Sequence, residues 1–365
     1  YSRRMDDPSD ELELERRFAE SAVTSLPRAP LYAALSAGIA ADPGLHRLLL
    51  DAPPTQRLPV LLFASIHSLL IAEPTHPLAD WYPNLRSVPR LPDDDELMPT
   101  LSAFVRGHLN EIKQLVSTRS TQTNEVGRSL LFLPPLGMIA QEVGPVTMID
   151  VGASGGLNLL LDQFGYRYEP DDGSPASTVG LDSTVPLTAS TRGAVTIPAI
   201  LPTIAGRLGI DASPIDVTND GRARWLEACV WPDQPERFRR LRAAIDLARI
   251  DPPRILNGDL VAEISEAVER VRPLGHPVVT NSWVLNYLHD RDRGAFMDEL
   301  EHIGAAGDLS WIAAEAPALT TGLPWPDEIA ENWQTQLLLT TWRDGIRTVR
   351  HLAQCHPHGF WMHWQ

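Results

Sequence analysis

Lysine is nearly missing from this chain: Lys113 is the only one among 365 residues, and every other basic side chain is arginine. Schiff-base chemistry therefore has a single candidate. Cysteine is scarce too, with only Cys229 and Cys355. Two thiols make no disulfide framework and fit a reducing, cytoplasmic setting. No apolar run approaches the ~18 residues of a membrane span, so no membrane partner is expected. The first residues, Tyr1 to Asp7, lack the apolar stretch of a secretion signal. No basic patch offsets a formal charge of −16, which disfavours nucleic acid as a partner. What remains is an ordinary globular composition, 43% hydrophobic and 21% charged, long enough for two domains.

Residues 10–145 read as mostly helical. Asp10–Ala22 is amphipathic, Pro30–Ala41 and Leu58–Ala72 are apolar, and Asp93–Glu96 places acids where a helix dipole favours them. A further helix from Asn124 is expected to break at Pro134-Pro135. Near residue 146 the pattern changes to strands alternating with helices. The strand candidates are Val146–Val151, Ile210–Val217 ending in Asp216, Arg254–Leu256, Pro277–Asn281 and Leu309–Glu315. Asp220–Ile250 reads as helix broken at Trp231-Pro232, and Gln336–Trp342 with Ile346–His351 reads as a hairpin around Asp344-Gly345. The expected organisation is an α-helical cap over 1–122 and, over 123–365, a doubly wound, mostly parallel Rossmann-like sheet closed by an antiparallel hairpin.

The densest motif is Val146-Thr147-Met148-Ile149-Asp150-Val151-Gly152-Ala153-Ser154-Gly155-Gly156. Glycines after a first strand let a nucleotide-like ligand approach the backbone. Asp-x-Gly-x-Ser-x-Gly is the spacing of S-adenosylmethionine-dependent methyltransferases, so Asp150, Gly152, Ser154 and Gly156 are cofactor candidates. A structural turn explains the same residues without a ligand. They also spell the Gly-x-Ser-x-Gly elbow of a serine hydrolase, for which Asp308 or Glu315 with His356 or His358 would complete a triad. Asp259, after a short strand, is a candidate for an adenine amino group or a plain helix cap. Asp216 is a candidate for ribose hydroxyls or a solvated loop acid. Asn281, Ser282 and Trp283 follow a buried strand, where doubly wound folds keep substrates. Asn124, Glu125 and Arg128 share one turn, suited to holding an acceptor or to a simple Glu–Arg pair. The tail, with Cys355, His356 and His358, has poor zinc spacing, and no metal is expected.

Taken together, six segments resemble DUF2332, an uncharacterised bacterial family common in actinobacteria. They are Thr123–Arg128, Gly152–Asp162 (which contains Asn158), Asp216–Thr218, Trp231–Arg237, Gly258–Leu260 and Cys355–Gly359. The family is similar to class I methyltransferases in its glycine motif. On the methyltransferase reading, Asp150, Gly152, Ser154, Gly156, Asp216 and Asp259 are expected to hold the donor. Acceptor contacts are expected from Asn124, Arg128, Asn158, Trp283 and His358, with Asn281, Ser282, His356 and Glu125 nearest the chemistry. The family tends to carry Phe-His where Thr280-Asn281 stand. An amide does not titrate near neutrality, so Asn281 cannot replace a histidine base. The leading expectation is an S-adenosylmethionine-dependent enzyme acting on a small polar or amino-acid-like molecule. The alternative is the same scaffold without that cofactor, closing a ring by expelling sulfate or phosphate held by Arg128. A homodimer or a partner enzyme of the same pathway fits either.

Overall fold

The computed structural model describes residues 8–320 and 322–365; the reading of Tyr1–Asp7 lies outside them. Its helices are α1 (Pro8–Ser25), α2 (Pro30–Ala40), α3 (Pro43–His46), α4 (Pro59–Ala72), α5 (Leu97–Gly107), α6 (Leu109–Thr118), α7 (Ser129–Val143), α8 (Asp220–Ala228), α9 (Pro235–Ile250), α10 (Leu260–Val271) and α11 (Asp290–Ala306). Its strands are β1 (Val146–Val151), β2 (Gly165–Pro170), β3 (Ser177–Val179), β4 (Pro186–Arg192), β5 (Ile204–Asp211), β6 (Ile255–Asn257), β7 (His276–Ser282), β8 (Leu309–Glu315), β9 (Gln336–Arg343), β10 (Ile346–Cys355) and β11 (Trp361–Trp364). No described helix is long and apolar enough to cross a membrane.

The chain divides into two compact units, and the first combines residues 1–123 with 219–242. The sequence reading had placed the second of these segments with the sheet. The first unit is helical around one core, where Phe63 stacks on Tyr32 with ring centroids 4.4 Å apart and Trp225 is buried beside them. Two bonds show why residues 219–242 belong here. Helix α2 begins at Pro30 with no side-chain cap of its own, and Asp233 Oδ1 accepts the Leu31 N–H at 3.0 Å. Trp225 donates its indole N–H to the Ser120 carbonyl at 2.9 Å. Both bonds satisfy groups that burial would otherwise leave unpaired.

The second unit holds an eleven-stranded sheet in the order β3-β2-β4-β11-β10-β9-β8-β7-β1-β5-β6. β6, β5, β1, β7 and β8 run parallel, and β9 and β10 continue antiparallel. All six residues of β1 are buried, as a continuous apolar strand covered on both faces requires. Ile149 and Val151 pack into one core with Ile264 and Val268 of α10 and Leu300 of α11. After β1 the chain lays down β2–β4 at the far end of the sheet, then adds β5 and β6 on one side of β1 and returns to β7 on its other side. The C-terminal ends of β1 and β7 therefore flank the point of reversal.

Three expectations are corrected. The strand read at Ile210–Val217 is Ile204–Asp211, so Asp211 and not Asp216 ends it. The sheet is wider than expected, because β2, β3, β4 and β11 extend it beyond the hairpin. Pro134 and Pro135 lie inside α7 without ending it. Proline at 134 cannot donate to the Leu130 carbonyl, but Tyr168 of β2 donates its hydroxyl there at 3.0 Å. A tertiary bond thus replaces the missing helical one.

Candidate functional site

The functional side chains collect at the C-terminal ends of β1, β5, β7 and β8. Asp150 sits one residue before the end of β1, in register with Thr280 of β7, which donates its hydroxyl to Asp150 Oδ1 at 2.8 Å. Burial pushes the Asp150 carboxyl up to about 7. The Thr280 bond and the Arg128 guanidinium pull against that rise, and the Asp211 carboxylate adds to it.

Glu315 closes β8 and is 1% exposed. Its Oε1 accepts the Asn281 side-chain N–H at 2.7 Å and the Val284 backbone N–H at 2.9 Å. Trp311 donates to Asn281 Oδ1 at 2.5 Å, which fixes the amide's orientation. Burial lifts the Glu315 carboxyl to about 7 against these bonds and against Arg128. Arg128 therefore acts electrostatically on both buried acids. Its Nε donates to the Pro357 carbonyl at 3.1 Å and its Nη1 to the Ser282 carbonyl at 2.9 Å.

The first bond ties the turn Val126–Arg128 to the segment 356–359, and the second ties it to the end of β7. The approach is so close that only glycine fits: a Cβ on Gly127 would lie 2.5 Å from the His358 carbonyl, and one on Gly359 would strike the Gly127 carbonyl. Glu125 is buried here, accepts the Gly127 N–H at 3.0 Å, and has Oε2 3.8 Å from His358 Nδ1. His356 accepts the His358 N–H on Nδ1 and stacks on Phe360. Asn158 joins the same group, accepting the Ser129 hydroxyl at 3.0 Å. Asn124 is 8% exposed, and its side-chain nitrogen is buried without a hydrogen-bond partner among the described residues. Trp283 takes a positive φ of 53° while its indole N–H donates to Thr335 at 2.8 Å. Such a backbone is costly for an aromatic residue and turns the chain sharply after β7.

The glycine loop is held mainly by its own chain. Gly152 and Ala153 donate to the Ile210 carbonyl, Gly156 to Ala153, and Ser154 to Asp211 Oδ2 at 2.7 Å. Gly152 and Gly156 take φ of 75° and 72°. A Cβ on Gly152 would lie 2.5 Å from Val284, and one on Gly156 would lie 2.9 Å from Pro253. Beside the loop, Asp211 also accepts the Ser213 N–H, and its backbone carbonyl takes the Gly258 N–H at 3.1 Å. Asp259 is therefore its neighbour along the sheet edge. Asp259 caps α10 through Oδ1, which accepts from Val261 and Ala262. Asp216 lies farther along the loop and accepts from Thr218.

The structure thus brings Glu125, Arg128, Ser282, Asn158 and the His356–His358 turn together, with Asp150 and Asn281 beside them. Asp216 and Asp259 serve local turns. Of the acids considered for a triad with Ser154, Asp308 accepts the Asp344 N–H and Glu315 is engaged by Asn281. Cys355 is buried, and burial raises its thiol far above the range of a nucleophile. Among the described residues no three His, Cys, Asp or Glu side chains are grouped to hold a metal ion. The sequence reading missed Asp211 and Thr280, and it weighed Glu315 only as a triad acid. An acid closing the buried run Trp311–Ala314 was the available signal.

The edge is rich in acceptors and poor in donors. The N–H groups of Gly152, Ala153, Ser154 and Gly156 are already bonded, and Asp150, Asp211 and Asp259 mark the ends of three adjacent elements. A phosphate, which needs backbone N–H donors, finds few here. Hydroxyls, amines and cations meet carboxylates.

No curated protein and no solved structure matches the chain. A family model described as "Uncharacterized protein conserved in bacteria (DUF2332)" matches residues 14–364, almost its whole length. The chain belongs to the DUF2332 family.

Proposed function

We propose that this protein is a Rossmann-like transferase with a class I methyltransferase-type core, using S-adenosylmethionine on a small polar or amino-acid-like acceptor. One observation carries the reading: the acceptor-rich edge beside a glycine loop, at the reversal point of a parallel sheet. The residues fit the adenosine and sulfonium parts of such a donor, which presents ribose hydroxyls, two amino groups, a sulfonium and one carboxylate but no phosphate. Asp150, Asp211 and Asp259 would hold it, with Gly152, Ser154 and Gly156 shaping the loop and Asp216 at the rim. Asp259 keeps Oδ2 available while Oδ1 caps α10. When bound, S-adenosylmethionine supplies an electrophilic methyl group.

The chain's own part is mainly orientation, which can supply several kcal/mol of a displacement barrier. Asn124, Asn158, Trp283 and His358 would surround the acceptor, and Glu125, Ser282 and His356 would border the reacting atoms. Arg128 keeps the two sides in register through the Ser282 and Pro357 carbonyls.

One observation favours a second reading, displacement without S-adenosylmethionine. Val284 and Pro253 fill the space that Gly152 and Gly156 open, so these glycines also serve the protein's own packing. Arg128 spends two donors on carbonyls, which weighs against it as the clamp for a departing sulfate or phosphate.

Calorimetry separates the two readings. S-adenosylmethionine and S-adenosylhomocysteine should bind at micromolar levels while ATP and NAD do not. Asp259→Asn keeps the cap, since asparagine and aspartate cap equally well, but removes the charge. It should weaken binding about tenfold, or ~1.4 kcal/mol. Folded protein that binds neither sulfur compound would reject the donor and leave the second reading.

A further inference from the structure

Asn281 cannot be a base, yet it sits at the centre of the buried network, and the residue it organises is Glu315. The carboxyl is held on one side only. Oε1 takes Asn281 and Val284, while Oε2 is buried without a hydrogen-bond partner among the described residues. Trp311 locks the amide so that its N–H faces the carboxyl. A carboxyl used only to brace the turn after β7 would be expected to engage both oxygens, because an unpartnered buried oxygen is costly. We propose that Glu315 takes up the proton released by the nucleophile, through Oε2, and that Asn281 is its positioning residue.

The proposal rests on the displacement reading above and on neither choice of leaving group. The nucleophile's N–H or O–H bond breaks and its proton passes to Glu315 Oε2. The electron pair left on nitrogen or oxygen forms the new bond to carbon. The carbon's leaving group departs with its own pair, as the thioether of a sulfonium donor or as an internal sulfate or phosphate. Arg128 is the charged group acting on Glu315, and its cross-strand partner Gln336 is neutral. Burial outweighs Arg128, so the carboxyl can hold or yield a proton near neutrality.

Infrared difference spectra between pH 5.5 and 8.5 test this without a substrate. They are recorded in an Asp150→Asn background, so that the neighbouring carboxyl does not contribute. A protonated-carboxyl band should vanish with a midpoint near 7, and Glu315→Gln should abolish it. Asn281→Ala removes a bond to the ionised form and should raise the midpoint by roughly one pH unit. A band that survives Glu315→Gln, or a carboxyl that stays in one state across the range, overturns the proposal. If Glu315→Gln fails to fold, an unmoved midpoint in Asn281→Ala does the same. Failure of S-adenosylmethionine to bind, with the titration intact, rejects the donor and leaves Glu315 in its role.

Discussion

Replacing Asp150 by Asn should stabilise the protein, and only above acidic pH. The folded chain holds this carboxyl at about 7, against an ordinary value of 3.8. Between those values the native state binds more protons than the unfolded chain, so stability falls as pH rises through that window. Above 7 the carboxylate is ionised in both states and its full cost is present. At about 1.4 kcal/mol per pH unit that cost is about 4 kcal/mol. Asparagine keeps an oxygen for the Thr280 hydroxyl and carries no charge. Urea denaturation of both proteins at pH 5, 6, 7 and 8 should show the variant's advantage growing towards that ceiling. At pH 5.4, midway, it should be about half as large. An advantage that does not change with pH would refute the reasoning, because it would place the Asp150 titration outside this window.

Two further predictions concern assembly. Gly359→Ala demands a Cβ at φ 78° that strikes the Gly127 carbonyl, and backbone lies on both sides. It should cost about 3 kcal/mol or more and lower the melting temperature by several degrees; an unchanged melt would show that the two segments do not touch. Tyr168→Phe should cost about 1 kcal/mol by leaving the Leu130 carbonyl unbonded. In a Pro134→Ala background the helix supplies its own N–H, so the Tyr168→Phe cost should shrink, and equal costs in both backgrounds would exclude the exchange of bonds.

Local chemistry made much of the sheet legible. The Asp344-Gly345 turn takes φ of 50° and 75°, the pair of positive values that a tight hairpin needs and that these residue types accept. Leu309–Glu315 was readable to the residue because an apolar run between helices has one sheet-forming solution. The strands β2 to β4 were not readable. β3 has only three residues, and β4 alternates exposed and buried residues beside β11, a partner over 160 residues away. Asp211 was missed because Gly206 and Gly209 interrupt its strand, while Ile215-Asp216-Val217 imitates one. The candidate site was half visible. Its residue types stood out in short motifs, but the joining of Asp150 to Thr280 and of Asn281 to Glu315 depends on strand register, which no single segment encodes.

The contact between Gly127 and the 356–359 segment also sets an order of events. Arg128 leaves the ribosome 229 residues ahead of the Pro357 carbonyl that anchors it. The parallel strands β1, β5, β6, β7 and β8 can pair before then, since every strand they pair with precedes residue 357. Until the last hairpin docks, Arg128 lacks one of its anchors and the turn at Glu125 has nothing to close against. A growing chain would hold these strands paired before Glu125 and Arg128 meet the 356–359 segment.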